Sequence, residues 1–286
     1  MKRKWLLMTL VVISAIALAA CGQSDDKEAG KTNGDGESSS SESKEFRIGM
    51  EAGYAPFNWT QKDDTNGAVK IKGSPEYAGG YDIQMAKKIA EGLGKELVIV
   101  KTEWDGLVPA LQSEKIDGII AGMSPTKERK ETIDFSDSYY TSDFVMVIKK
   151  GSKFEGAKSI QDFTGAKITA QLNTSHYDVI EQIKGVQKQT AMENFPAMRV
   201  ALQAGKIDGY VSERPEGISA AAANSKFTYI TFEKGFKADI ADTSIAVGVR
   251  KGYDLTAKIN EILAGVSEDE RQKIMEEAIL TQPAAK

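Results

Sequence analysis

Residues 110–118 of the chain recur 91 positions later. The segment Ala-Leu-Gln-Ser-Glu-Lys-Ile-Asp-Gly returns at residues 201–209 with seven of its nine residues unchanged. Each copy combines the end of a helix, a turn and a buried strand. The repeat predicts two lobes of similar topology, each with a loop directly after its copied strand. The alternative is a chance match, because helix-turn-strand units share composition.

Strands alternate with amphipathic helices throughout the region 45–286. Residues 46–50, 97–100 and 116–121 are rich in apolar residues and are predicted to be strands. Between the first two runs, apolar residues recur at helical spacing over residues 83–93. This order predicts an α/β fold in which each lobe is a mostly parallel sheet flanked by helices. Ligands of such sheets lie beyond the carboxyl ends of the strands, so two facing lobes would enclose a small molecule.

The first twenty residues differ from the rest of the chain. Lys2, Arg3 and Lys4 precede an apolar run at residues 5–17, which is too short to span a bilayer comfortably. A positive segment followed by a short apolar run is typical of a secretory signal. The sequence therefore predicts a signal peptide at residues 1–20.

The single cysteine of the chain, Cys21, directly follows the predicted signal peptide. The residues Leu18-Ala19-Ala20-Cys21 resemble a bacterial lipobox, so we expect Cys21 to be lipidated. The alternative is an ordinary signal with a coincidental cysteine. Residues 21–44 consist largely of Gly, Ser, Asp, Glu and Lys and predict a disordered tether. We expect a lipoprotein outside the cytoplasm, held to the outer face of a Gram-positive plasma membrane by lipid alone.

The composition excludes several classes of function. One Cys and one His among 286 residues exclude a disulfide scaffold and most zinc sites, which need clusters of such residues. A formal net charge of −4 argues against a nucleic-acid binder, which needs a basic face. The sequence contains no Gly-rich phosphate loop and no nucleophile elbow. We therefore expect no metal, no cofactor and no catalytic residue.

The loop at residues 121–129 follows the first copied strand. It contains the hydroxyl of Ser124 and, five residues later, the guanidinium of Arg129. An arginine can bind a carboxylate through two parallel hydrogen bonds. The first loop is therefore a candidate carboxylate site.

The second lobe contributes matching features. Thr174 and Ser175 lie between a predicted strand at residues 167–171 and a predicted helix at residues 177–183, and amides at a helix start favour anions. Glu213 ends the second copied strand and carries the opposite charge. Together with the guanidinium of the first loop, these groups match the α-carboxylate and α-ammonium of an amino acid.

Five segments, in their order and spacing, resemble one known family: Tyr54–Phe57, Gly80–Ile83, Trp104–Leu111, Gly122–Arg129 and Ile133–Tyr140. The chain looks like a polar-amino-acid solute-binding protein of an ABC importer, in the bacterial extracellular solute-binding protein family 3. That group includes histidine-, arginine- and glutamine-binding proteins. The resemblance implies a two-lobed, type II periplasmic-binding-protein fold with two hinge crossings, whose lobes close on a free amino acid.

The same resemblance divides the folded region. We expect lobe 1 to comprise residues 45–141 and 244–286, and lobe 2 to comprise residues 142–243. The hinge is expected in two segments, near residues 140–143 and 239–244. The resemblance also implies that the closed protein docks on an ABC permease driven by ATPase subunits. We expect a monomer that binds no nucleic acid.

Residue by residue, the resemblance implies roles in binding the backbone of the ligand. Arg129 would bind the ligand carboxylate, with Ser175 and nearby backbone assisting. Ser124 and the backbone of Gly122 would meet the ligand ammonium together with Glu213. These assignments place both charged groups of an amino acid between the two lobes.

Met123 and Thr174 lie in the same two loops and are also expected to line the site. Two positions depart from the family pattern. Glu213 stands where the family usually has Asp, and Asn173 stands where it usually has Gly. Because Asn tolerates left-handed backbone conformations, the loop around Asn173 is expected to keep its shape.

The side-chain end of the pocket is expected to involve Glu51, Tyr54, Phe57 and Trp104. Arg129 and the acid opposite it already balance a zwitterion, so a further acid in the cleft favours a cationic ligand side chain. Aromatic rings can stack on a guanidinium or cover an aliphatic stem. We therefore favour arginine or another basic amino acid. Glutamine or another polar amino acid remains the alternative, in which case Glu51 points to solvent.

Two other classes of function remain open. Some relatives of this fold are cyclohexadienyl or arogenate dehydratases, in which a cleft carboxylate acts as general acid, and Glu213 or Glu51 would be the candidate here. Others are extracellular sensor domains. We favour a binding protein without enzymatic activity. His176 is then expected to be a loop residue that donates a hydrogen bond or is exposed to water.

Overall fold

The structure is a computed structural model that describes residues 44–283. The predicted signal peptide, the predicted lipidation of Cys21 and residues 21–43 of the predicted tether lie outside the described residues. The described strands are β1 Glu45–Met50, β2 Gly53–Tyr54, β3 Asn58–Gln61, β4 Val69–Lys70, β5 Tyr77–Gly79, β6 Glu96–Lys101, β7 Gly118–Ile119, β8 Asp134–Thr141, β9 Phe144–Lys149, β10 Lys167–Thr169, β11 Gln187–Lys188, β12 Gly209–Glu213, β13 Phe227–Ile230 and β14 Ser244–Val249.

Helices lie between these strands and after the last one. The α-helices are α1 Tyr81–Gly92, α2 Leu107–Gln112, α3 Lys127–Thr132, α4 Ser175–Asp178, α5 Phe195–Gln203, α6 Arg214–Ala223, α7 Ile240–Thr243, α8 Thr256–Ala264 and α9 Glu268–Thr281. Short 3-10 turns occur at Thr65–Gly67, Trp104–Gly106, Ile160–Phe163 and Val179–Gln182. The helix predicted at residues 177–183 is therefore α4, which begins two residues earlier, followed by a 3-10 turn.

Two five-stranded sheets with the same plan define two lobes. The first has the order β6-β1-β7-β14-β8 and the second the order β11-β10-β12-β9-β13. In each, the first three strands are parallel and the fourth is antiparallel to both neighbours. The predicted two-lobed α/β fold is confirmed. Its sheets are mixed, because in each sheet the fourth strand belongs to a segment that adjoins a crossing between lobes.

The sequence repeat occupies equivalent places in the two lobes. The strand that ends each copy, β7 or β12, lies at the centre of its sheet. In lobe 1, Asp117 accepts a hydrogen bond from the backbone N of Arg47 at 2.9 Å. In lobe 2, Asp208 accepts one from the backbone N of Lys167 at 2.8 Å. Both aspartates thus fasten the turn before the central strand to the neighbouring parallel strand.

The chain crosses between the sheets twice. It leaves the first sheet after Thr141, enters the second at Phe144, and returns through α7 to β14. The two crossings run side by side, because Ser142 N donates to the carbonyl of Thr243 at 2.9 Å and Thr141 pairs with Ser244. Helix α9 then packs against α1 of lobe 1 and α6 of lobe 2. The two adjacent crossings lie in the segments where the hinge is expected.

A third, antiparallel sheet of four short strands was not predicted. Its order is β2-β3-β5-β4, and it lies in the connection between β1 and α1. Two of its strands have two residues each, too few for a sequence pattern to reveal. It matters for function because β2 ends at Tyr54, one of the predicted site residues.

Buried apolar residues form one large cluster that extends from lobe 1 into lobe 2, and a second cluster within lobe 2. The contact between lobes includes the rings of Tyr54 and Phe195, which stack with centroids 4.2 Å apart. Across residues 44–283, the structure contains no helix whose length and apolar character would let it cross a membrane.

The two aspartates of the repeat are expected to contribute unequally to the free energy of unfolding. Asp117 also binds the guanidinium of Arg47 at 2.9 and 2.7 Å, whereas Asp208 accepts only the backbone bond described above. We expect Asp117→Ala to lower the free energy of unfolding by about 2–3 kcal/mol and Asp208→Ala by about 1 kcal/mol. Urea unfolding at pH 7 measures both.

The pH dependence of the Asp117→Ala effect follows from its pKa. Burial opposes ionisation of Asp117, but the hydrogen bonds from Arg47 outweigh it and lower the pKa. The added stability is therefore fully present above the unfolded pKa of about 4 and is lost as pH falls through the lower folded pKa. Repeating the unfolding at pH 3 should shrink the penalty, and an undiminished penalty would contradict an ionic origin.

Candidate functional site

The loop after β7 places three predicted residues in the cleft between the lobes. Gly122 has φ 63°, and a Cβ atom there would lie 2.6 Å from the Tyr54 ring, so only glycine fits this position. Met123 is buried beside it. Ser124 is also buried and donates a hydrogen bond to the carbonyl of Asp242 at 3.2 Å. The first site loop is therefore held against α7, in the second crossing.

Arg129 lies on α3 and reaches both lobes. Its Nη1 donates to the carbonyl of Ser124 in lobe 1 at 2.8 Å, and its Nη2 donates to the carbonyl of Asn173 in lobe 2 at 2.8 Å. The guanidinium carbon lies 5.1 Å from the centre of the Trp104 ring. Burial lowers the pKa of Arg129 to about 10.

Within residues 44–283, no carboxylate forms an ion pair with Arg129. Neutral carbonyl oxygens hold the guanidinium in position, and the carboxylates of Glu128, Asp178 and Asp242 act on its charge only from beyond ion-pair distance. A partly desolvated cation is stabilised by an anion brought to it. Arg129 is therefore suited to receive a carboxylate from a ligand, as its sequence position suggested.

The loop after β10 faces this arginine from lobe 2. Asn173 has φ 56°, so it adopts the left-handed conformation expected of a residue that replaces glycine. Its side-chain Nδ2 donates to Asp105 of lobe 1 at 2.9 Å. Thr174 donates to the carbonyl of Gln171 at 2.7 Å, and Ser175 donates to the carbonyl of Asp242 at 3.2 Å.

A small cavity lies where these loops meet. Its volume is about 10 Å³, which is room for about one water molecule. An amino acid does not fit this volume, so the lobes must separate or side chains must move before one is bound. The cavity is lined by Tyr54, Trp104, Gly122, Ser124, Arg129, Gln171, Thr174, Ser175 and His176.

A larger recess of about 580 Å³ adjoins the small cavity on the solvent side. The two share Trp104, Arg129, Thr174 and Ser175. Met123 lines the recess but not the small cavity. The recess therefore provides a path from solvent to the guanidinium of Arg129.

Four contacts hold the lobes together at this point. Three are the Arg129 bond to Asn173, the Asn173 bond to Asp105 and the stacking of Tyr54 on Phe195. The fourth joins Glu51 of lobe 1 to Gln171 of lobe 2. In it, the amide Nε2 of Gln171 donates to Oε2 of Glu51 at 2.9 Å. Separation of the lobes breaks all four, and all involve residues of the cleft or their direct neighbours.

Residues 46–281 match the bacterial extracellular solute-binding proteins, family 3. The chain belongs to this family. The match covers both lobes and both crossings, and it confirms the family resemblance inferred from the sequence. Proteins of this family are extracellular, so the folded region functions outside the cytoplasm.

Individual family members show which proteins the chain resembles. The arginine-binding extracellular protein ArtP of Bacillus subtilis is 29% identical over 269 residues, covering 91% of each chain. A probable histidine-binding protein of Campylobacter jejuni is 30% identical over 227 residues, 76% of this chain and 80% of that one. An amino acid ABC transporter substrate-binding protein of Streptococcus pneumoniae, solved bound to L-arginine, superposes with a TM-score of 0.72 and 30% identity, over 82% and 94% of the chains.

The predicted ammonium partner of this family-3 protein lies behind the cavity. Glu213 is 1% exposed, does not line the cavity, and neither carboxylate oxygen has a hydrogen-bond partner. Its Oε1 lies 3.1 Å from Nε2 of His176, which does line the cavity. Burial, together with nearby Glu216, raises the pKa of Glu213 well above its usual range. Burial and the charge of Arg129 lower the pKa of His176 to about 3.

His176 is therefore neither exposed nor part of an open loop. It is 5% exposed and lies within α4, facing Glu213. The sequence predicted a loop residue that donates a hydrogen bond or is exposed to water, and both alternatives were wrong. The side chain is buried, and neither ring nitrogen has a hydrogen-bond partner among the described residues. The helix begins two residues before its predicted start, so His176 points into the lobe instead of preceding the helix.

Glu51 and Phe57 also lie outside the small cavity. Phe57 is fully buried behind Tyr54, with ring centroids 5.0 Å apart, and supports that ring. Glu51 is 7% exposed, and its Oε1 has no hydrogen-bond partner. Burial raises the pKa of Glu51 to about 7, the bond from Gln171 opposes this rise, and Glu103 adds to it. The alternative in which Glu51 points to solvent is wrong.

Gln171 was not among the predicted site residues. This side chain is 2% exposed, lines the cavity, and binds both Glu51 and the carbonyl of Glu193. Its position was a usable signal, because it ends the predicted strand at residues 167–171, where ligand-binding side chains were expected.

The close approach of Gly122 to Tyr54 predicts a site-specific cost of adding one methyl group. Gly122→Ala should lower the free energy of unfolding by about 3 kcal/mol, combining left-handed strain with the clash against Tyr54. Gly73→Ala is the matched control, because Gly73 has φ 76° and a Cβ atom added there would have no neighbour within 4 Å. That variant should lose about 1 kcal/mol. Equal losses in urea unfolding would show that the Tyr54 contact is unimportant.

Proposed function

We propose that this protein is the amino-acid-binding component of an ABC importer and that it captures a basic amino acid of the arginine class. The observation that carries the proposal is the Arg129 guanidinium. A carbonyl of each lobe holds it in the cleft, and no carboxylate among the described residues forms an ion pair with it. The names of its relatives agree, since one is an arginine-binding protein and a solved neighbour holds L-arginine.

The ends of the cleft suit the ends of such a ligand. The α-carboxylate would bind Arg129, with Thr174 and Ser175 replacing their present carbonyl partners by the ligand. The α-ammonium would lie near Ser124 and the Gly122 backbone. The lobes must move before both charged groups of the ligand can bind, because the present cavity has room for about one water molecule.

Glu213 and His176 would complete the ammonium end. A buried carboxylate without hydrogen bonds gains from an approaching cation, because the cation restores the favourable energy that burial removed. Rotation of His176 away from Glu213 would open this carboxylate to the ligand. Glu213 thus acts as the ammonium partner from behind the present cavity wall.

The side-chain end distinguishes ligands. Tyr54 and Trp104 would cover the aliphatic stem, and Glu51 would receive the cation in place of the Gln171 amide. Glutamine or another polar amino acid is the second candidate. The hydrogen bond from the Gln171 amide to Glu51 favours it, because the uncharged amide of such a ligand could take the place of the Gln171 amide. Phe57 and Met123 support the lining residues.

The mechanism is hinge closure without chemical conversion of the ligand. The lobes separate about the two crossings, the amino acid binds, and contacts from both lobes favour the closed state. The carbonyl of Asp242 in the second crossing binds Ser124 and Ser175 in the closed form, so the site and the hinge share a contact. The closed protein would dock on a membrane permease and its ATPase subunits.

We further propose that lipidated Cys21 and the tether at residues 21–44 hold the protein, as a monomer, on the outer face of a Gram-positive plasma membrane. The lipobox-like residues before Cys21 and the polar composition after it support this. Mass spectrometry of the protein from membranes would detect the lipid on Cys21.

Titration with arginine and with citrulline, its uncharged isostere, tests the function and the role of Glu51 together. Glu51 has a pKa near 7, and a bound cation stabilises its ionised form. Arginine binding should therefore release a proton and strengthen as pH rises. The preference for arginine over citrulline should increase about tenfold between pH 6 and pH 8, since the ionised fraction rises by that factor.

Glu51→Gln is the control for this experiment, because it keeps the shape of the side chain and removes its ionisable group. In it the preference for arginine should be weak and independent of pH. No arginine binding to the purified wild-type protein at any pH would overturn the proposed function. Arginine binding with the same pH profile in Glu51→Gln would overturn only the role of Glu51.

A further inference from the structure

A second cavity is lined by Glu51, whose hydrogen-bond partner Gln171 lines the small cleft cavity. It has a volume of about 450 Å³, within the range of ligand pockets, and both lobes line it. Gly53 and Trp59 belong to lobe 1, Arg199 to lobe 2, and Gln282 to the segment after α9. We call this cavity the distal chamber.

One hydrogen bond joins the lining of the distal chamber to the lining of the small cleft cavity. Gln171 lines the small cleft cavity and Glu51 lines the distal chamber, and the two side chains bind each other at 2.9 Å. A ligand cation that displaces the Gln171 amide from Glu51 would therefore stand at the boundary. Anything attached to the outer side of that cation would extend into the chamber and not into packed protein.

The charges of the chamber favour a cation at this boundary. Glu51 is buried and its Oε1 has no hydrogen-bond partner. The guanidinium of Arg199 is already neutralised by Glu216, at 3.1 and 2.8 Å. The exposed Lys101 donates to Thr60 at 3.1 Å. Among residues 44–283 no cation forms an ion pair with Glu51, and nearby Glu103 adds to the negative charge. The indole of Trp59 adds an aromatic wall on which alkylated cations can pack.

We propose that the distal chamber is a subsite for substituents on the cationic end of the ligand, so that the protein accepts N-alkylated guanidinium or ammonium side chains as well as arginine. This proposal rests on the proposed function. It adds that the distal end of the ligand is open, whereas the α-ammonium end is enclosed by Gly122, Ser124 and His176, which line the small cavity but not the solvent-side recess.

Titration calorimetry with methylated arginines tests the open distal end. Nω-methylarginine and Nω,Nω-dimethylarginine should bind the full chain within about threefold of arginine, a difference of about 0.7 kcal/mol. Nα-methylarginine carries the same extra carbon at the enclosed end and should bind at least about thirtyfold more weakly. Equal losses for distal and α-methylation would overturn the proposal.

Gly53→Phe tests the chamber itself. A Cβ at Gly53 would lie 3.5 Å from Oε1 of Glu51 with nothing closer, so a larger side chain there extends into the chamber without a backbone clash. The ratio of the dissociation constants of Nω,Nω-dimethylarginine and arginine should rise at least about tenfold. Gly235→Phe is the matched control, because Gly235 is exposed, lies outside the chamber and has its nearest neighbour also at 3.5 Å. This control should leave the ratio unchanged.

The outcomes distinguish the distal subsite from the proposed function. Loss of discrimination between distal and α-methyl positions, or an unchanged ratio in a folded Gly53→Phe protein, overturns the distal subsite while arginine binding upholds the proposed function. If wild-type protein binds no arginine, both fall. Thermal unfolding of both variants establishes whether they are folded. If Gly53→Phe does not fold, the affinities of the wild-type protein for arginine and the methylated arginines decide the proposal.

Discussion

The guanidinium of Arg129 is the group on which the closed arrangement depends. One of its nitrogens is held by a carbonyl of lobe 1 and another by a carbonyl of lobe 2, so the same side chain fixes the cleft and joins its two walls. Carbonyl oxygens orient the cation but form no ion pair with it. An arriving carboxylate would supply that ion pair and take the place of at least one carbonyl. We propose that ligand binding and lobe movement are coupled at this group.

The hinge is tied to the same site. Ser124 and Ser175, one from each lobe, both donate to the carbonyl of Asp242 on α7. A ligand that takes these hydroxyls releases the crossing segment from both loops at once. The two loops follow non-equivalent strands, β7 and β10, but both leave the carboxyl ends of parallel strands, which is where each sheet faces the cleft.

Much of this architecture was predictable from local patterns. The repeat at residues 110–118 and 201–209 correctly indicated two equivalent lobes, since each copy contains the aspartate that fastens a central strand to its neighbour. The left-handed backbone conformation of Asn173 was predictable because asparagine tolerates this conformation. Arg129, Ser124 and Ser175 line the small cavity because the loops after the parallel strands β7 and β10 converge there. The loop expected after the second copied strand is absent, since α6 begins directly after β12.

Contacts that exist only after the lobes meet were not predictable. The bond between Glu51 and Gln171 joins residues 120 positions apart, and no spacing rule relates them. Glu213 lies behind His176, and the position of His176 depends on where α4 begins. The helix begins two residues before its predicted start. The distal chamber is formed by four separate parts of the chain, including the segment after α9.

The central claim is that Arg129 binds the carboxylate of an amino-acid ligand. Agmatine, which is arginine without that carboxylate, tests it most directly by titration calorimetry against arginine. Wild-type protein and Lys127→Ala, which removes an exposed cation two residues away, should bind agmatine at least about 100-fold more weakly than arginine, or about 2.7 kcal/mol. In Arg129→Ala this difference should nearly vanish. Equal affinities of the wild type for agmatine and arginine would contradict the claim.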